Sequence, residues 1–575
     1  MTSAIRRFRK RDAYPIPGEV SKIMKPTNGS GRSLLWRVTI WCLAASVVVA
    51  AEKNTGVLDV TVTEKRAILE ARILFSQSEI EHRKSNIEPL PCRVHLTANG
   101  RPIYAPGCPR WERDADFCCD GRFRVEAPAG KVELLVERGP EWESHAETLE
   151  IEPGTTRTVE VRLSRWIDMN ARGWYGGDLH VHRPLADLPL LMRAEDLNVA
   201  PVLTQWNAQN MAVEPPYLVK VEDRATTTPR YYHTLNQEDE RIGGAILLFN
   251  LRRSIAIENV YRYWPSGMAY HRAALEQNDR VGLQGQVANR SHVEQEKPFW
   301  WEAPVHVALG KVSTMGIVHN HFQRRDIMDS EAWGRPRDRE QYPGQMGFCL
   351  YTLDLYYRYL NLGWDIPVSA GSASGVLANP LGYNRVYVQM DRFDYEGWFE
   401  MLRAGRSFAT NGPMLFATVN GRPIGTHFNS EADKPFEATV RLEVLCREPL
   451  DRAEIVVGGT VVATFHPQAS DLKQIVGEHR LSVERSAWIA VRAFQRYKPT
   501  LRFAHTSPFY VAVGGAERRD PEAAQFYIQW LDDLIAQMEK DREHFQNARH
   551  LAKVLETYKQ ARDVYAKRAN RKASK

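Results

Sequence analysis

The chain has 575 residues, 43% of them apolar, and a formal charge of +6. The apolar content excludes a disordered chain, and the length exceeds what one hydrophobic core can hold, so about three or four domains are expected. The charge is local: residues 1–51 carry nine Lys/Arg against two acidic residues, which leaves residues 52–575 near neutral and excludes a broad nucleic-acid-binding face.

The first predicted element is a leader. Its basic start runs into residues 38–51, VTIWCLAASVVVAA, and then into polar Glu52-Lys53-Asn54. The apolar run is short for a membrane span, and Val49-Ala50-Ala51 offers small residues to a signal peptidase. Residues 1–51 are therefore read as a signal peptide or leader, with Met24 as an alternative start and an uncleaved anchor as the other reading. The mature chain is expected to be exported, periplasmic or extracellular, with no stable membrane span. Its six remaining cysteines include Cys92, Cys108, Cys118 and Cys119, which suggest one or two local disulfides in an oxidising compartment. Vicinal Cys118-Cys119 as a soft metal pair is the alternative.

Residues 53–165 alternate apolar and polar positions in short runs, as in VLDVTVTEKRAILEARILF and TTRTVEVRLSRW, which reads as a β-sandwich. The run FRVEAPAGKVELLV within it resembles a carboxypeptidase regulatory-like domain. From 168 to 412 the texture becomes α/β. Strand candidates VAPVLTQW, GGAILLFNL, TMGIVHNHF, IPVSAGSAS and RVYVQM alternate with helical stretches such as CLYTLDLYYRYLNLG. That alternation predicts parallel strands, in an open sheet or a barrel, with ligands at the strand ends. Residues 413–515 return to β patterning and read as a second sandwich. The tail, 516–575, is helical: Asp520 before Pro521 is an N-cap signal, and Trp530, Leu531, Leu534, Ile535 and Met538 form an apolar stripe for docking.

The chemistry is concentrated in 168–412. In GGDLHVH, strand alternation puts Asp178, His180 and His182 on one face and Leu179 and Val181 on the other. Two imidazoles at the end of an apolar strand suit a metal, with Asp178 orienting an imidazole N–H. A second pair, His319 and His321, follows the apolar strand TMGIV. Trp206, Trp300, Asn207 and the loop residues Arg335 and Arg337 are candidates for substrate binding, because aromatic faces pack on sugar rings and guanidinium forks match carboxylate or phosphate.

GDLHVH, LRAGRSFATNGPML at 402–415 and TSPFYV at 506–511 together resemble the PHP (polymerase and histidinol phosphatase) superfamily, in its CehA/McbA-like metallohydrolase branch. The resemblance spans about residues 165–515. It implies a distorted (β/α)7 barrel, flanked here by the two β-sandwiches and the helical tail, with divalent metals at the strand ends. It implies hydrolysis of phosphoester, ester or carbamate bonds. His180 and His182 match the family's first metal motif, Glu238 its carboxylate motif, and His292 its His-Pro position. Elsewhere the pattern departs: the Asp-His-Asn element reads Gln205-Trp206-Asn207, and the Gly-Ser-Asp-x-His element reads Gly371-Ser372-Ala373-Ser374-Gly375, without its ligands. That glycine-rich run is read as leaving space and unused backbone N–H groups at a strand end.

Two readings follow. The first is an exported metal-dependent hydrolase of a small-molecule or carbohydrate-derived substrate. One Zn, Mn or Fe ion would be held by His180 and His182 with two or more of Glu238, His292, His319 and His321, and Glu296 would be the candidate base. The second is a catalytically silent PHP-like protein that binds carbohydrate or anions. The sequence fixes no oligomeric state.

Overall fold

The computed structural model describes residues 54–65, 88–111, 113–207, 209–223, 228–278, 290–432, 434–496 and 500–570. The leader expected at 1–51 lies outside them, as does the later half of the first period-two run. Among the described residues no helix is long and apolar enough to cross a membrane.

Period-two patterning makes Thr55–Glu64 a strand with Leu58, Val60 and Val62 fully buried. It pairs antiparallel with Arg122–Pro128 and parallel with Thr156–Leu163. A second sheet of Cys92–Ala98, Phe117–Cys119, Gly130–Glu137 and His145–Ile151 shares its core, around Val94, Leu134 and Trp142. The junction with the following α/β part is ionic. Asp196 accepts from Trp142 Nε1 at 2.8 Å, Arg165 at 2.7 Å and Arg230 at 2.6 Å, with Arg138 at 3.7 Å.

The whole is a mixed α/β protein with several sheets. In the central sheet Trp174–Gly177 has two neighbours, Val199–Trp206 parallel and Arg385–Gln389 antiparallel. Val199–Trp206 runs parallel to Arg230–Arg241, and His292–Gln295, Thr314–Val318 and Val368–Ala370 pair in parallel in that order. The expectation of parallel strands holds for four of these pairings but misses the hairpin between Arg230–Arg241 and Gly244–Phe249, and the antiparallel step from Gly244–Phe249 to His292–Gln295. Its turn is tight, and Gly244 at φ +113° adopts a backbone that L side chains rarely take, with a Cβ there lying 2.4 Å from Trp300.

The ladder does not stop at the boundary expected near 412. Arg385–Gln389 pairs with Ser407–Thr410, which pairs with Phe503–Thr506, which pairs with Ala487–Gln495. A further sheet of Met414–Val419, Phe436–Leu445 and Gln474–Val483 closes a core that also takes in Trp174, Tyr387 and Phe408.

Helix Pro521–Lys540 begins as its sequence signals: Asp520 caps it by accepting from Ala523 N at 2.9 Å, with proline in the first turn. Its stripe docks, with Trp530, Leu531, Leu534 and Met538 fully buried and Ile535 half-buried. Burial of such side chains contributes roughly 1.5–3 kcal/mol each. The second tail helix, Ala548–Asn570, is pinned by Tyr558 donating to Glu302 Oε1 at 2.7 Å and Tyr565 donating to Pro304 O at 2.9 Å.

Candidate metal centre

His180 and His182 leave the end of Trp174–Gly177 in an extended segment. Val181 between them bridges to both Val202 and Ser374, and Leu179 and Val181 are fully buried, in two different cores. His180 and His182 converge as GGDLHVH suggests. Asp178 has a different task from the one expected. Its carboxylate accepts backbone N–H groups from His180 and Ser372, each at 3.0 Å, and from Gly382 at 2.7 Å. It organises the strand end and touches no imidazole.

Glu238 arrives from a strand, not a solvated turn. Arg230–Arg241 is a long strand, buried over most of its length, and its register puts Glu238 opposite Leu247, which in turn faces Glu294. Glu238, Glu240, Glu294 and Glu296 thus share one face in two successive rows. Glu238 Oε2 lies 3.0 Å from His182 Nε2 and 3.5 Å from His180 Nε2. His180, His182 and Glu238 form a group of three whose ligand atoms all lie within 4.8 Å of one another.

Glu296 reaches the other side of the same ring, its Oε1 3.3 Å from His180 Nδ1. It also accepts from Trp300 Nε1 at 2.7 Å and is clasped by the Lys297 ammonium, which sits 4.4 Å above the Trp300 ring. With Lys297 and then His180 outweighing burial, its carboxyl is held well below the usual range. That makes Glu296 a poor base and a good orienting group, the carboxylate–histidine–metal arrangement in which an outer oxygen fixes a ligand's tautomer. The base expected at this position is corrected accordingly.

Burial disfavours charge on His180, but Glu238 and Glu296 outweigh it and push the imidazole up to about 10. Glu238 is brought down to about 2, His180 and His182 overcoming its own burial. His180 thus lies between two carboxylates, a position that favours a cation. The residues fit a metal on a direct observation: His182 Nε2 and Glu238 Oε2 are both buried, and their 3.0 Å contact is not aligned as a hydrogen bond, so both are unsatisfied. Two imidazoles and a carboxylate suit Zn²⁺, Fe²⁺ or Mn²⁺.

The other expected ligands stand elsewhere. His292 lies at the start of its strand, bonded to Thr314 Oγ1 at 2.7 Å and packed on Phe399 and Phe249. It is a core histidine. His319 and His321 sit among Phe299, Phe322 and Phe348, and burial together with Lys297 keeps both neutral. His319 Nε2 and His321 Nδ1 lack hydrogen-bond partners, yet neither residue joins the group of three. The close group thus contains one His-x-His pair and a carboxylate.

The substrate-binding candidates divide similarly. Trp206 borders the centre, its ring 4.8 Å from His182 and its Nε1 donating to Glu240 Oε2 at 3.1 Å. Asn207 spends its amide on the backbone of Glu240. Trp300 is a wall, 3% exposed and committed to Glu296. Arg335 pairs with Asp533 at 2.8 Å and lies over Phe526 and Trp530, so it clamps the tail helix. Arg337 is fully buried on Glu331 and Asp329. These arginines found carboxylates in their own surroundings and are structural.

Sequence reasoning missed Glu240 and Glu294. Burial pushes Glu240 up to about 8, helped by Glu238 and Glu296, and burial pushes Glu294 up to about 8 as well. The signal was present, since each lies two residues from a carboxylate already singled out. The glycine-rich run also differs from expectation: it leaves no space, because a Cβ on Gly371 would lie 2.5 Å from His180 Cβ. Its N–H groups are used, Gly371 donating to Val318 O and Ser374 to His180 O. Gly371→Ala is expected to displace His180 and weaken metal binding about 10–100-fold, the range seen when a ligand loses its support. A metal titration followed alongside far-UV circular dichroism checks this; unchanged affinity in a folded variant would contradict it.

Comparison with family models and with curated proteins finds no match to this chain.

Proposed function

We propose that the chain is an exported metal-dependent hydrolase of the PHP, CehA/McbA-like kind, acting on an ester, phosphoester or related bond of a small or carbohydrate-derived molecule. The observation that carries this reading is the buried trio His180, His182 and Glu238, with two unsatisfied ligand atoms facing each other. The finer fold reading, a distorted (β/α)7 barrel, draws support from the parallel pairings of the central sheet and from the place of His180 and His182 just beyond the end of Trp174–Gly177. Loss of the ligands expected at 373 and 375 fits one ion and not two or three.

A divalent ion held by the trio supplies Lewis acidity and makes water a competent nucleophile near neutral pH. The chain's own residues do the rest. Glu296 Oε1, 3.3 Å from His180 Nδ1, keeps that edge of the ring and leaves Nε2 toward Glu238. Lys297 neutralises Glu296, so that this carboxylate does not compete as a ligand. Trp206 covers His182 on one side and holds Glu240, whose carboxyl lies on the same strand face as Glu238 at the rim of the centre.

The test is metal analysis of the full chain, with hydrolysis of p-nitrophenyl phosphate and p-nitrophenyl acetate followed before and after EDTA. One divalent ion per chain and turnover lost on chelation and restored by metal is the expected result. An ion without turnover on either ester would favour the silent carbohydrate- or anion-binding reading, which the near-complete burial of His180, 4% exposed, makes a specific alternative. Protein that takes up no ion from excess Zn²⁺ or Mn²⁺ would overturn the metal centre itself.

A further inference from the structure

Four cysteines of the first β module are close in sequence, but the strands sort them. Cys92 opens Cys92–Ala98 and Cys119 ends Phe117–Cys119, and the antiparallel register sets them directly opposite one another. Directly opposed residues of an antiparallel pair have Cα atoms about 4.5–5.5 Å apart, inside the roughly 4.4–6.8 Å window of a disulfide. Their sulfurs lie 3.6 Å apart, and both side chains are buried in one core. Cys118 is excluded by alternation. It faces the other way, opposite Arg93 and among Val181, Leu188 and Met192. Cys108 is half-buried at the edge of the core.

We propose that Cys92 and Cys119, thiols in this structure, are joined as the disulfide of this chain when it meets a small disulfide oxidant such as oxidised glutathione. One protein thiolate attacks the oxidant and releases one glutathione thiol. The second protein thiolate then displaces the other glutathione from the mixed disulfide. Two protein thiols are lost, one S–S bond is gained, and the oxidant leaves as two thiols. Either sulfur can attack first, because either can donate across the 3.6 Å contact.

The bond has a structural consequence close to the metal centre. Phe117–Cys119 is a short strand at a sheet edge, paired to Cys92–Ala98 alone. The chain just before it carries Asp114, which accepts from Arg183 at 2.6 Å, while Arg183 Nε donates to Ser374 Oγ at 2.9 Å. Arg183 is the residue after His182. A covalent link at Cys119 therefore braces the segment that steadies this ligand's chain neighbour.

The experiment uses the full chain incubated with oxidised glutathione, alkylated, digested without reductant and mapped by mass spectrometry. The expected product is a linked peptide pair joining Cys92 to Cys119. In a parallel thermal melt the linked protein unfolds several degrees above the same protein treated with a phosphine reductant. Cys92 and Cys119 recovered as alkylated thiols, or Cys119 linked to Cys108 or Cys118 instead, would overturn the assignment.

Discussion

His182→Ala is expected to empty the metal centre and abolish hydrolysis together. The variant leaves His180 and Glu238, two donors where the trio offers three. A structural zinc site of four ligands is worth about 10–16 kcal/mol, so one ligand is worth roughly 3 kcal/mol, or a factor of about 100 in affinity. The loss should be at least that large, since Glu238 Oε2 then faces an open space in place of its nearest nitrogen, now 3.0 Å away. Metal content after gel filtration and esterase activity are measured on the same sample. His319→Gln is the informative companion, because His319 has an equally unpartnered nitrogen but lies outside the trio. It should keep its metal. If both variants lost the ion alike, the two His-x-His pairs would share it after all.

The largest effect on stability is expected at Asp196, far from the chemistry. Its carboxylate is met by Arg230, Arg165 and Arg138, and the Arg230 and Arg138 side chains are 0% and 2% exposed. Asp196→Asn takes from Arg138 its carboxylate partner and leaves Arg230 with Asp223 and Arg165 with Glu141, each at 3.0 Å, and breaking a buried ion pair from one side costs about 3–5 kcal/mol. The arginines overcome burial and hold the folded carboxyl well below the usual carboxylate range. The unfolded chain has an ordinary aspartate near pKa 3.9, so the stabilisation is fully present above about that pH and lost as pH falls toward the folded value. Urea unfolding at neutral pH should show the deficit, and between about pH 5 and pH 3 the variant should lose less stability than the wild type. Equal stability at neutral pH would mean that the hub is relaxed by water or by other acids.

What the sequence made legible follows from the range of the interactions involved. His180 and His182 were readable because the spacing of two histidines at a strand end is a local signal, and the two side chains do meet Glu238 together. The cap at Asp520 and the stripe from Trp530 to Met538 are local in the same sense. Glu238 was harder, since a run reading Gln-Glu-Asp-Glu-Arg looks solvated until its partners are known. Arg241 pairs with Asp239, Trp206 bonds Glu240, and His182 meets Glu238, so every charge of the run has its answer on another element or on its own strand. His292, His319 and His321 had the same kind of local signature as the candidate ligands His180 and His182. Which strand ends converge is decided by pairings between residues far apart in the chain, and no spacing rule contains that. Arg335 failed for the same reason, because Asp533 lies in a helix almost two hundred positions away, whereas Arg337 is answered within its own loop by Glu331 and Asp329.

The hydrogen-bonded ladder from Arg385–Gln389 through Ser407–Thr410 and Phe503–Thr506 into Ala487–Gln495 bears on how this protein can be divided or recombined. A cut after residue 412 would separate Ser407–Thr410 from its partner and leave a raw strand edge, the surface on which chains stick to one another. The α/β part and the β-rich part behind it are therefore not interchangeable cassettes. A graft of the metal centre onto another scaffold must carry the trailing strands with it.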